Sequence, residues 1–225
     1  MKYRNMSRQA GFTLVEIAIV LVIIGLLLGG VLKGQEMIEN AKVKNAVSDL
    51  NGISAASYSY TDRFRRIAGD DGPIATLTGR GGLWTNLPAV GTGDNNGILG
   101  PITGPNTFNG AAEAGAFFMQ LRAAGLINGN PVDAGLAALP RNAFNGVIGI
   151  TTAGNVLGTM PSTKLCMSQI PGKAARALDT QLDDGVSTTG SIRSSVGAAG
   201  ANTAPLAAAA ATYSDDFVYT LCRTL

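Results

Sequence analysis

The chain has 225 residues, of which 46% are hydrophobic and only 14% charged, against about 25% charged in an ordinary soluble domain. It contains no histidine and two cysteines, which excludes His-based triads, imidazole general bases, and zinc sites built on histidine or four thiolates. The length suits one sizeable domain with an appendage, and the net charge of +2 is too small to suggest a nucleic-acid binder.

The charges are unevenly placed. Lys2, Arg4 and Arg8 give residues 1–11 a local +3 with no acid, residues 12–32 hold one charged side chain, Glu16, and the remainder carries 14 basic and 14 acidic side chains. Residues 12–32 read FTLVEIAIVLVIIGLLLGGVL, a run of 21, and a helix needs about 20 apolar residues to cross a bilayer. A secretory signal peptide has the same basic head, but its apolar region is about 7–15 residues long. Leu28-Gly29-Gly30 also places leucine where a cleavage site wants a small residue. The positive-inside bias holds Lys2, Arg4 and Arg8 in the cytoplasm and sends the bulk of the chain to the far side. A plain single-pass anchor fits the same hydropathy.

Glu16 is the unusual residue in this run. A carboxylate inside a membrane helix costs about 2.5–3.5 kcal/mol on insertion scales and is usually paired. Cleavage between Gly11 and Phe12 would place a free ammonium four residues before it, and a neighbouring subunit's ammonium would then neutralise Glu16 inside an apolar bundle. The plainer reading is a glutamate near a helix end reaching headgroups or water.

Gly11-Phe12-Thr13-Leu14-Val15-Glu16, after a short basic leader and before an unbroken apolar helix, resembles the signature of type IV prepilins, the family of type IV pilins and the pseudopilins of type II secretion. The resemblance covers residues 1 to about 64. It implies a leader of residues 1–11, cleavage after Gly11 by a prepilin peptidase, N-methylation of Phe12, and Glu16 as the assembly glutamate. It also implies a lollipop architecture, a long N-terminal helix bearing a globular head. One departure stands out: many main-filament subunits carry a proline in the second half of the apolar segment, and here the first proline is Pro73.

The helix is expected to continue to residue 66, apolar over 12–32 and amphipathic over 33–66. Val43, Ala46, Leu50, Ile53, Ser57, Tyr60 and Phe64 step alternately by three and four, one stripe of a helix, opposite Lys42, Lys44, Asp49, Asn51 and Asp62. Gly25, Gly29, Gly30 and Gly34 interrupt it, each costing about 1 kcal/mol relative to alanine. Gly25/Gly29 and Gly30/Gly34 are small-xxx-small pairs that allow close helix approach in lipid. A weak stretch that unwinds on assembly is the alternative, and the resemblance favours it; membrane helices also simply tolerate glycine.

The head is expected over residues 67–225. Arg63, Arg65 and Arg66 suit a helix C-terminus, and Gly69-Asp70-Asp71-Gly72-Pro73 breaks the helix. Residues 73–110 read as a long irregular connection packed by Trp84 and Leu87. Its glycine clusters, 79–82 and 91–93, lack the Gly-Lys-Ser/Thr ending of a phosphate loop and read as turns. A second helix is expected over 111–127 with Ala114, Phe117, Phe118, Leu121 and Ala124 buried, ended by Gly125. Residues 147–150 and 155–158 read as a hairpin around 151–154. A short helix over 171–182 follows, then a strand over 191–196, an Ala-rich loop over 197–212, and a last strand over 217–222. The class is α+β, a small antiparallel sheet packed on a helix, and the resemblance implies the same.

Cys166 and Cys222 are 56 residues apart. An exported head meets an oxidising compartment, which favours a disulfide; two buried free thiols are the alternative. Family members commonly bridge this region, so the resemblance implies the pairing too. Asp70-Asp71, Asp183-Asp184 and Asp94-Asn95-Asn96-Gly97 match no EF-hand loop and read as solvated turns, although some pseudopilins hold calcium in the head. No nucleophile–base pair is present. Carboxylate chemistry depends on a spatial separation that spacing along the chain does not give. No metal, cofactor or enzymatic activity is expected.

The expected function is that of a structural subunit of a type IV pilus-like filament. It waits in the bacterial inner membrane with its head in the periplasm, then joins an extracellular pilus or a periplasmic pseudopilus. The expected partners are other copies of itself, related pilins, the prepilin peptidase, the assembly machinery and membrane lipid. A minor pilin or type II secretion pseudopilin is the alternative, and a membrane-anchored binding domain that never assembles is a third reading.

Overall fold

Helix α1 (Leu14–Phe64) is continuous over 51 residues. The computed structural model describes residues 13–99, 107–110, 112–152, 154–160 and 163–225. The chain divides into two compact units, Met1–Ala41 and Lys42–Leu225.

In the first unit the described residues are all helix after Thr13. Their apolar side chains, among them Leu14, Val20, Leu26 and Leu32, are exposed. The helix is long and apolar enough to cross a membrane by length and composition.

The second unit begins where the stripe does. Val43, Ala46, Leu50, Ile53 and Tyr60 are buried as the spacing predicts, Ser57 and Phe64 are half-buried, and Ser54 and Ala56 widen the buried face. Lys42, Lys44, Asn51 and Asp62 are exposed, and Asp49 is half-buried. The stripe joins one core with Trp84, Phe117, Leu121, Ile148 and Leu165. Residues 73–99 are not wholly irregular: α2 (Ile74–Thr78) and two 3-10 turns, Gly82–Trp84 and Ala89–Gly91, run through them. Trp84 and Leu87 are buried there as expected.

Helix α3 (Ala112–Ala123) is shorter than the expected 111–127 and buried almost all round. Its end is a Schellman turn. Gly125, at φ +71, donates to the Arg122 carbonyl (2.9 Å), and Leu126 donates to the Leu121 carbonyl (2.9 Å). Glycine takes this left-handed conformation without steric cost.

The sheet has four antiparallel strands in the order β1-β2-β4-β3. They are β1 (Ile148–Thr151), β2 (Lys164–Pro171), β3 (Ile192–Gly197) and β4 (Val218–Thr224). Helix α4 (Gly172–Leu182) lies between β2 and β3 in sequence, with Pro171 as its N-cap residue. The α+β class agrees with the sequence reading, α4, β3 and β4 agree with it to within two residues at each end, and the Ala-rich segment is irregular as expected but runs on to residue 217.

The expected hairpin is wrong. β1 pairs with β2, Ile148 opposite Met167 and Thr151 opposite Lys164. Residues 155–158 form turns instead. Val156 and Leu157 are both buried, but on a turning backbone. Leu157 and Gly158 have φ of 53° and 68°, and their N–H groups donate to the carbonyls of Leu206 and Ala207, both at 2.8 Å. The true partner, β2, is buried on both faces, including Lys164 and Ser168, so its sequence shows no polar–apolar alternation.

Cys166 and Cys222 sit opposite each other in the β2–β4 ladder and form a disulfide, S–S 2.04 Å, with both residues fully buried. In the chain-entropy model, closing a loop of this length contributes about 4 kcal/mol. Urea unfolding of the detergent-solubilised full chain is therefore expected to show a loss of about 4 kcal/mol in the Cys166→Ala/Cys222→Ala double variant. A midpoint unchanged from wild type would leave the bond without that role.

Candidate functional site

The candidate site is the start of α1. Met1 to Phe12, including the basic head, Gly11 and Phe12, lie outside the described residues. The next residues build a capping box. Thr13 precedes the first helical residue, and Glu16 stands three positions later. The Glu16 carboxylate accepts from the Thr13 N–H (2.8 Å) and the Thr13 hydroxyl (2.7 Å). The Thr13 Oγ1 in turn accepts from the Glu16 N–H (3.3 Å). This reciprocal Thr-x-x-Glu arrangement satisfies backbone donors left over at a helix N-terminus. A carboxylate in the first turn also complements the helix dipole. The sequence reading weighed Glu16 against an ammonium at Phe12 and against headgroups or water, and missed this role, although Thr-x-x-Glu was there to be read.

Gly25, Gly29, Gly30 and Gly34 do not break α1. A Cβ at any of them would meet nothing within 4 Å. Lys33 pairs with Glu36 at 2.8 Å on the exposed surface, where such pairs contribute little.

In the second unit, two acidic segments read as solvated turns are partly buried instead. Asp70 and Asp71 are 2% and 1% exposed. The Asp71 carboxylate accepts from the Tyr60 hydroxyl (2.7 Å) and from Arg80 (2.8 Å). The Arg80 guanidinium lies over the Phe64 ring at 4.4 Å and the Trp84 ring at 4.8 Å. Gln120 of α3 accepts from the Gly69 N–H (2.6 Å) and donates to the Asp71 and Gly91 carbonyls. Burial first, and then the Asp71 carboxylate, push the Tyr60 phenol well above its ordinary value. This cluster clamps the chain where it leaves α1.

Carboxylate oxygens of Asp70, Asp94 and Glu113 lie within 4.8 Å of one another, as do those of Asp179, Asp183 and Asp184. Both groups hold loops. Asp70 accepts from the Asn96 and Gly97 N–H groups at 3.0 and 2.8 Å, and Glu113 accepts from the Asp94 N–H at 3.1 Å. Asp179 accepts from the Tyr213 hydroxyl (2.6 Å) and the Gly185 N–H (3.2 Å), and Asp183 accepts from the Ile192 N–H (2.8 Å).

Burial raises the Asp179 carboxyl above its ordinary value, against the Tyr213 and Gly185 hydrogen bonds. A raised folded pKa means the fold binds this proton more tightly than the unfolded chain. The associated stability is fully present below the unfolded value of about 3.9 and is lost as pH rises through the folded one. The melting temperature of wild type is therefore expected to fall relative to Asp179→Asn as pH rises from about 4 towards neutrality. A difference that stays flat with pH would sink this assignment.

The comparisons bear on the N-terminal segment. Residues 6–32 match the model of the prokaryotic N-terminal methylation motif. A search of curated proteins returns no match. The motif coincides with the segment that opens α1, including Thr13 and Glu16, and it is consistent with a non-enzymatic structural protein. A prepilin-type methylation motif, a long apolar N-terminal helix and a head built on an antiparallel sheet give this chain a type IV pilin-like architecture.

Proposed function

We propose that this protein is a subunit of a type IV pilus-like filament. A prepilin peptidase cleaves after Gly11, and Phe12 becomes the methylated N-terminus. The mature chain waits in the bacterial inner membrane through residues 12–32, its N-terminus cytoplasmic and its head periplasmic. It then leaves the lipid for a bundle of N-terminal helices from other copies, with the help of the assembly machinery. The observation that carries this reading is the methylation motif lying on a helix whose described apolar side chains are exposed. An apolar surface of that extent needs cover, and lipid and then sister helices supply it.

Glu16 has two successive partners in this scheme. In the single chain Thr13 satisfies it. In the filament the ammonium of another copy's Phe12 takes up the charge, and low dielectric strengthens the attraction. A subunit out of register leaves a buried charge unpaired, so the pair contributes register more than raw stability. Gly25, Gly29, Gly30 and Gly34 supply either the close-packing face or the stretch that unwinds as the filament extends.

A minor pilin or a type II secretion pseudopilin is the second reading. The lack of any proline before Pro73 favours it, and abundance in sheared filaments discriminates the two.

Mass spectrometry of isolated surface filaments is expected to read methylated Phe12 as the first residue; a chain still beginning at Met1 refutes the processing step. Glu16→Gln keeps the capping-box chemistry but removes the charge. Both Glu16→Gln and Glu16→Ala are expected to lower filament incorporation about tenfold or more. Wild-type incorporation of Glu16→Gln would assign the residue to the cap alone.

A further inference from the structure

We draw no further inference here: the strongest candidate, the side-chain cluster of Asp70, Asp94 and Glu113 between the end of α1 and the start of α3, is a group of acids whose hydrogen bonds hold the loop already described, and no second observation among the described residues points to a ligand there.

Discussion

The first twenty residues of α1 present apolar side chains in every direction, and these are exposed. Water tolerates such a surface poorly, at about 25 cal/mol for each Å² exposed. Something outside the chain must cover it, and this requirement shapes how the rest of the sequence is arranged. The same helix changes character at Val43, where the apolar positions narrow to one stripe and the opposite face becomes charged. One secondary structure thus meets two solvents, and the boundary between them is also the boundary between the two compact units.

The capping box at Thr13 and Glu16 changes how the isolated acid is understood. A carboxylate beside an apolar helix looks costly when considered alone, yet here it ties down the N–H and the hydroxyl of the residue that starts the helix. Its position at the helix end, and not in the middle, sets it beside the backbone N–H groups that open α1. The clamp at the other end of α1 works by similar means. Asp71 is almost wholly buried but receives donors from Tyr60 and Arg80, which satisfies the demand that a buried charge be paired.

Much of this was legible in the sequence, for identifiable reasons. The Val43 to Phe64 stripe could be read because burial on one face of a helix leaves a three-and-four spacing. Gly125 ended α3 as expected because a Schellman turn needs a left-handed residue. β2 was missed because burial of both faces, down to Lys164 and Ser168, erases the alternation that marks a strand. The false partner at 155–158 had the right composition, but its backbone turns at Leu157 and Gly158. Asp70 and Asp71 looked like solvent-facing turn residues because their partners, Tyr60, Arg80 and the loop at 96–97, come from distant positions. At the candidate site the short motif was fully legible, and the matched segment, residues 6–32, says nothing of the head.

Strand β4 is the last strand of the sheet to be made by the ribosome, yet it occupies an interior place between β2 and β3. Until it arrives, β1 and β2 can pair only with each other, and β3 has no neighbour in the sheet at all. Synthesis therefore runs almost to residue 224 before this layer can close, and every contact made at closure joins segments distant in sequence, the slow kind to form. A nascent chain halted earlier would carry two unfinished edges, and the bond between Cys166 and Cys222, which face each other across β2 and β4, has both its ends in register only once the last strand is in place.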